Sequence, residues 1–343
     1  MKILVIGGTR FVGRHFVMAA RARGHELTLF NRGMQAPIEG VETIHGDRYR
    51  DLTKLEGRRW DAVLDTCGFL PRGVKASAEA LRDAVDVYVF VSSQSVYADV
   101  SQPGVDETER VETLRQEQLE KANAIDPSAV SAVALGDMYG GLKALAEQAA
   151  EEVMPGRVLI TRPGLIVGPH DYTDRFTYWV ARVARGGRVL APGRPQRHVQ
   201  FIDARDIADW TVSMIEQKRT GVYNCNGVPG VATMEDLLDE CKAVSRSDAS
   251  FVWVDEEFLE REQVAAWSEL PLWLPESDER LKGFMFASVD KAIDAGLTFR
   301  SLTDTVADTL AWHQTTTGNE NMKAGLDPEK EQVLLRQWEN SSS

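Results

Sequence analysis

The chain has 343 residues, 43% hydrophobic and 27% charged, which is ordinary globular composition with enough length for one large domain or two intimate ones. Its 39 Lys and Arg against 52 Asp and Glu leave a formal charge of −13, which disfavours nucleic acid and anionic membrane surfaces as partners. Three cysteines, Cys67, Cys225 and Cys241, form no CxxC pair and no Cys/His cluster, so neither a disulfide framework nor a metal site is expected. The apolar run at the N-terminus is too short for a signal peptide, and no stretch approaches a membrane span. The expected compartment is the cytoplasm.

Met1 to Gly13 reads MKILVIGGTRFVG. Ile3 to Ile6 form a short apolar run suited to a strand buried on both faces, and Arg14 to Arg23 form an amphipathic helix ending at Gly24. Strand, glycine turn and helix together form the context in which such a motif binds a dinucleotide. Gly7 permits the tight turn, Gly8 lets backbone approach a pyrophosphate, and Gly13 lets helix pack on strand. The helix N-terminus offers free N–H groups to the phosphate. Arg10 stands where the full fingerprint has its middle glycine.

Glu26 to Phe30 is the second strand. Asn31-Arg32 follows, where an NAD site usually carries an acid for the ribose hydroxyl. An Arg there suits the extra phosphate of NADP, and Arg10 in the adjacent turn is a second candidate for it. Strands at Val41–His45, Asp61–Asp65 and Asp86–Val91 follow, with a helix over Ala76–Ala84. Alternating strands and helices predict a parallel sheet with right-handed crossovers. Ala98 to Met138 is polar and acidic, reads as a surface loop or lid, and carries a helical patch over Glu109–Asn123.

Asp137 to Glu152 is an evident helix. Strand Val158–Thr161, helix Asp174–Ala184, strand Val199–Ile202, a helix from Asp203, strand Gly221–Asn226 and helix Met234–Val244 with Thr233 as N-cap come next. Phe251–Val254 reads as a strand, Leu302–Trp312 as a closing helix, and Pro328–Trp338 as a polar helix before a frayed end at Asn340–Ser343. Arginines 157, 162, 175, 182, 185, 188, 194 and 197 fall in one stretch. They form either a solvated surface or a mouth for an anionic substrate or cofactor.

Tyr139 and Lys143 lie four apart on a helix and share a face. An ammonium near a phenol lowers the phenol's pKa and fits it for acid–base work beside a carbonyl or carbinol. With the GGTRFVG turn, the VFVSSQSVYAD segment after the fifth strand, YGGLK, RPGLIVGP, HVQFIDARDIAD and GVYNCNG, the chain resembles the short-chain dehydrogenase/reductase superfamily. The closest likeness is to its extended, atypical NAD(P)-dependent epimerase/dehydratase branch. The departures at Arg10 and Asn31-Arg32, and the long Ser93–Tyr139 segment, bring it nearest to bacterial proteins resembling isoflavone reductases. The GGTRF turn also resembles chloroplast stem-loop RNA-binding relatives.

The resemblance implies an α/β fold, a Rossmann doubly wound parallel sheet with helices on both faces, plus a smaller C-terminal α/β substrate-binding region. Residues 1–168 would form the dinucleotide-binding domain, with 198–226 and about 287–314 returning to it. Residues 169–197 and 227–286 would bind substrate, leaving 315–343 as a tail with a short helix. It implies Tyr139 as proton-transferring acid/base, Lys143 lowering its pKa and binding ribose, and Ser93 holding the reacting oxygen. The cofactor would lie along Gly7, Gly8, Thr9, Arg10, Phe11, Val12 and Gly13, then Asn31, Arg32, Asp47, Thr66, Cys67, Gly68 and Ser92, with Pro163, Gly164, Leu165 and Ile166 lining the nicotinamide. His198 and the Trp267–Trp273 segment are possible substrate contacts.

The leading expectation is an NADP(H)-dependent oxidoreductase acting on a small carbonyl or alcohol, with NAD as the alternative cofactor. A sugar-nucleotide epimerase/dehydratase is the second reading, and a non-catalytic dinucleotide-sensing or RNA-binding relative the third. The chain is expected to be a monomer or a homodimer, the latter through the Ala144–Ala150 face.

Overall fold

The first strand, β1 (Lys2–Ile6), is buried from Ile3 onward, with Leu4 wholly enclosed, as a strand covered on both faces must be. In the computed structural model, which describes residues 1–127, 130–315 and 322–341, β1 leads through the glycine turn into α1 (Phe11–Ala22). Then come β2 (Glu26–Asn31), β3 (Glu42–His45), β4 (Ala62–Asp65), α2 (Pro71–Leu81), β5 (Val87–Val91), α3 (Gln116–Ala124), α4 (Ala132–Leu135), α5 (Tyr139–Val153) and β6 (Val158–Pro163). The second half runs β7 (Leu165–Val167), α6 (Thr177–Ala184), β8 (Arg188–Pro192), β9 (His198–Val199), β10 (Phe201–Asp203), α7 (Ala204–Glu216), β11 (Gly221–Cys225), β12 (Ala232–Thr233), α8 (Met234–Ser245) and β13 (Ser250–Val254). It closes with α9 (Glu256–Arg261), α10 (Asp290–Asp294), α11 (Leu302–Thr315) and α12 (Pro328–Ser341).

Seven strands form one parallel sheet in the order β11-β6-β5-β4-β1-β2-β3. The fold is the doubly wound Rossmann α/β arrangement. The order reverses between β1 and β4, so a crevice opens beyond their carboxyl ends. On one face α1 and α7 bury Phe16, Val17, Ile207 and Ala208. On the other, α2 and α5 bury Val74, Ala78, Leu81, Ala146 and Ala150. The second half of the chain has its own core around Phe176, Tyr178, Trp179, Leu237, Leu238, Phe258 and Trp273. There β8 pairs in parallel with β13. The β13 strand matches the expected Phe251–Val254, whereas β8, although bracketed by Gly186-Gly187 and Gly193, is absent from the sequence reading.

Element ends differ from expectation for local reasons. Helix α1 starts at Phe11, inside the glycine turn. Helix α2 starts at Pro71, well before Ala76, because a proline fits the first helical turn without losing a hydrogen bond. Helix α6 starts at Thr177, after Asp174 turns left-handed at φ 63°. The acidic segment before Tyr139 is helical over α3 and again, briefly, over α4. The chain just before α3 lies against α5, where a Cβ on Gly141 would stand 2.5 Å from Leu114, and one on Gly140 would stand 2.6 Å from Glu112. Arg72 fastens α3 through the carbonyls of Ala122 and Ile125 at 3.0 and 2.7 Å. The alanine face of α5 is consumed inside the chain, since Ala144, Ala146, Ala149 and Ala150 are all buried; Gln148, Glu151 and Glu152 are what α5 shows to solvent.

The C-terminal helix is tied into the second core. Glu331 accepts from Arg182 Nε at 2.6 Å and from the Leu190 amide at 3.0 Å, with both charges buried. Ser342 and Ser343, at the end expected to fray, lie outside the described residues. Removing one partner of a buried pair leaves the other uncompensated. Glu331→Ala should therefore destabilise the second core by about 3 kcal/mol, read as an earlier urea transition; an unshifted midpoint would show that α12 is not anchored there.

Candidate active site at the carboxyl edge of the sheet

The crevice between β1 and β4 begins at the glycine turn. Gly7 and Gly8 hold φ 100° and 85°, conformations that favour glycine. A Cβ on Gly13 would stand 2.9 Å from Gly8 Cα, so Gly13 is what lets α1 close onto the turn. Arg10 makes no side-chain cap on α1, and the first turn contains no acid. The N-terminal amides therefore face the crevice without an internal anion, which suits a pyrophosphate. Thr66 donates to the Ile6 carbonyl at 3.0 Å, and a Cβ on Gly7 would meet Thr66 Oγ1 at 2.6 Å. Cys67 and Gly68 continue this wall.

Asn31 has a structural task. Its Nδ2 donates to the Gly7 carbonyl at 3.2 Å, and its Oδ1 accepts from the Gly33 amide at 2.9 Å. A carboxylate there would face the Gly7 carbonyl without a donor. Asp47 follows β3 nearby, accepting from the Tyr49 amide at 2.8 Å. The Arg10 guanidinium lies over the Tyr172 ring at 4.2 Å, across the turn from the end of β2.

At the end of β5, Ser92 is buried with its amide bonded to the Thr161 carbonyl at 2.7 Å. Ser93 accepts from the Ser95 amide at 3.1 Å and its hydroxyl donates to that of Ser95 at 3.1 Å, and it is near enough to the Tyr139 phenol to act against the rise in that group's pKa. Tyr139 opens α5. One turn on, the Lys143 ammonium is buried and donates to the carbonyls of Gly68 at 2.8 Å and Val91 at 2.6 Å, with the Phe90 ring 4.1 Å away. Burial lowers its pKa to about 8. Burial also raises the Tyr139 pKa, opposed first by Ser93, and the cation whose field reaches the phenol is Arg175. The Lys143 ammonium is bonded to two carbonyls one helical turn from the phenol.

Pro163 ends β6, and Leu165 and Ile166 lie in β7, paired in parallel with Phe201 and Ile202 of β10. Gly164 between them touches Asn226 so closely that any Cβ would collide with Nδ2. Asn226 donates to Gln94 Oε1 at 3.0 Å, and Gln94 donates to the Phe284 carbonyl at 3.0 Å. This chain of amides joins the ends of β5, β6 and β11 to the second half of the molecule. His198 packs edge-on to Phe286 at 5.3 Å, its buried Nδ1 without a partner.

Beyond β7 the segment from Pro169 to Arg175 crosses back over the glycine turn. His15 bonds the Pro169 carbonyl at 2.8 Å, and Phe11 meets Tyr172 edge-on at 6.4 Å. Burial brings the His170 pKa down to about 4, so its ring is neutral near pH 7. Asp171 is fully buried, and burial pushes its carboxyl up to about 6 against the pull of Thr173. Phe11, His170, Asp174 and Trp267 all hold left-handed backbone, with φ of 29°, 68°, 63° and 65°. Such outliers persist where surrounding structure over-determines them.

Known proteins fit this geometry. A model of the NAD dependent epimerase/dehydratase family matches residues 3–225. The chain belongs to that family. Among curated proteins it is 29% identical over 220 residues to a 2-alkyl-3-oxoalkanoate reductase of Stenotrophomonas maltophilia, covering 61% of this chain and 64% of that one. It is 25% identical over 234 residues to a phenylcoumaran benzylic ether reductase of Nicotiana tabacum, covering 64% and 66%. It is 23% identical over 262 residues to a chloroplast stem-loop binding protein of Arabidopsis thaliana, covering 70% and 62%. The matches thus span slightly less than two thirds of each relative's own length. Among solved structures, UDP-glucuronic acid 4-epimerase from Bacillus cereus in complex with NAD superposes at TM-score 0.62 with 18% identity, covering 91% of this chain and 98% of that one. UDP-glucose 4-epimerase from Bifidobacterium longum in complex with NAD+ and UDP gives 0.63 with 16%, covering 92% and 99%. At these identities the likeness is one of fold.

Membership in the epimerase/dehydratase family, with reductase and epimerase relatives, supports an NAD(P)-dependent enzyme. Among the described residues no group of three or more His, Cys, Asp or Glu could hold a metal ion, and no helix is long and apolar enough to cross a membrane.

Beneath the crevice lies a buried network that sequence reading missed. Arg48 makes two bonds to Asp65 at 2.9 and 2.6 Å, and Tyr88 donates to Asp65 at 2.8 Å. Burial alone would raise the Asp65 pKa, but Arg48 holds it below the usual carboxylate range. An acid closing the otherwise apolar β4 was the available signal. Its partner, distant in sequence, had none.

Lys143 yields a prediction with a definite sign. Its pKa is about 8 in the fold against an ordinary 10.5. Below that window both states hold the proton; within it the unfolded chain holds one that the fold has released, so stability rises with pH. Lys143→Met should remove that rise, seen by comparing urea midpoints of the two proteins across pH of about 8 to 10; parallel profiles would show that Lys143 is not titrated by folding.

Proposed function

We propose that this chain is an NADP(H)-dependent oxidoreductase of the short-chain type, passing hydride to or from a small carbonyl or alcohol. The observation that carries the reading is Tyr139 opening α5 beside the end of β5, one helical turn from buried Lys143. In this reading residues 1–168, joined by 198–226 and about 287–314, hold the dinucleotide, and 169–197 with 227–286 hold the substrate. Its free thiols suit a reducing cytoplasm.

A bound nicotinamide dinucleotide supplies hydride exchange. The glycine turn and the α1 N-terminus would hold its pyrophosphate, and Thr66, Cys67 and Gly68 would pack along the cofactor. Ser93 holds the substrate oxygen by hydrogen bond. Tyr139, kept protonated by its raised pKa, gives that oxygen its proton in the reducing direction. Lys143 fixes the ends of β4 and β5 under the ribose. Two of the curated relatives are reductases by name, which supports net reduction over hydride return.

Tyr139→Phe should slow NADPH oxidation with small ketones by about a hundredfold or more while leaving cofactor affinity close to wild type. An unchanged rate would remove Tyr139 from the mechanism, and ketone-dependent chemistry without net NADPH consumption would favour the epimerase reading.

The cofactor choice rests on Arg32, since Asn31 is explained by its bonds to the turn. Arg32→Ala should weaken NADPH about tenfold or more by calorimetry, the worth of a charge-assisted phosphate contact, and NADH little. Equal losses for both would refute the 2′-phosphate role.

A further inference from the structure

The arginine-rich stretch resolves into two kinds of residue. Arg162, Arg182, Arg188, Arg194 and Arg197 each pair with a glutamate. Arg157 is spent on the carbonyls of Arg82 and Val85. Arg185 is exposed on the far end of α6. Arg175 differs from all of these. Among the described residues it forms no ion pair, and its guanidinium rests over the Trp267 ring at 5.7 Å. The acids beside it in sequence form no ion pair with it: Asp171 accepts from Thr173 at 2.7 Å through one oxygen and feels the Arg175 charge only through space, and Asp174 accepts from the Lys323 amide at 2.9 Å.

The surroundings tie this cation to the reacting centre. Trp267 meets Phe284 edge-on at 5.7 Å. The Phe284 carbonyl is held by Gln94, the residue after Ser93. The Arg175 field reaches the Tyr139 phenol. Trp267 is held left-handed, its amide bonded to the Trp273 carbonyl at 3.1 Å, so strained backbone presents the ring beneath Arg175. A half-buried guanidinium on an aromatic face, with no ion pair among the described residues, is arranged for an anion from outside the chain.

We propose that Arg175, seated on Trp267, is an anion subsite that binds the acidic group of the substrate and thereby sets which end of it faces Tyr139. The chemistry that fits is a small oxo acid, its carboxylate on the guanidinium fork and its ketone toward Ser93 and Tyr139. This rests on the reductase reading for the ketone and on Arg175 alone for the anion.

The test titrates the full chain by calorimetry, with and without NADPH, using acetoacetate, methyl acetoacetate and UDP. Acetoacetate should bind at least about tenfold more tightly than its neutral ester, the worth of one charge-assisted bond. Arg175→Gln should erase that preference without altering ester binding, and Arg175→Lys, which keeps charge without the fork, should restore part of it. UDP binding with the same dependence on Arg175 would support the subsite and assign its anion to a phosphate. Equal binding of acid and ester, a preference that survives Arg175→Gln, or no anion binding at all would overturn it. The reductase reading fails separately: Arg175-dependent anion binding without any NADPH oxidation leaves the subsite standing. NADPH oxidation at equal kcat/KM for acid and ester keeps the reductase and sinks the subsite.

Discussion

One buried ammonium sets the geometry of the crevice. Lys143 reaches from α5 to the carbonyls that end β4 and β5, and those two ends carry the wall at Cys67–Gly68 and the Ser92–Ser93 step. Burying a charge costs several kcal/mol unless its donors are satisfied. Here two carbonyls and an aromatic face meet that demand and hold it near the edge of titration. Because Tyr139 sits one turn earlier on the same helix, fixing Lys143 also fixes where the phenol emerges. The residue's first service is therefore mechanical, and any contact with a ribose is added to a position already determined.

What could be read in the sequence follows from how local each constraint is. The glycine turn is legible because left-handed φ at Gly7 and Gly8 and close approach at Gly13 each demand a particular residue type. Tyr139 and Lys143 are legible because helical spacing puts them on one face. The Arg48–Asp65 pair was not, since it joins residues from different turns of the chain whose meeting depends on the sheet. The extended stretch from Glu112 to Leu114, laid against two glycines of α5, likewise looks like a loose polar loop until the helix it covers is known.

Asn31 shows how a family pattern can be read for the wrong reason. Its position after β2 invites a statement about the ribose, and the missing acid points to NADP. The structure supplies a reason independent of cofactor: only an amide can donate to the Gly7 carbonyl while accepting from Gly33. Arg10 departs from the pattern in a similar way. It lies over Tyr172, where it helps hold the segment that crosses back over the glycine turn.

The charge pattern gives the last step. A chain with formal charge −13 has carboxylates to spare, and five of the arginines between β6 and α8 are neutralised by glutamates within the fold. Arg175 stands apart, with no ion pair among the described residues and its guanidinium over the Trp267 ring at 5.7 Å. His170 and His15, both driven toward neutrality by burial, add no competing charge to that mouth. Arg10 and Lys323 lie over the Tyr172 ring of the same returning segment, so an incoming anion meets several cations there, and what sets Arg175 apart is its seat on Trp267.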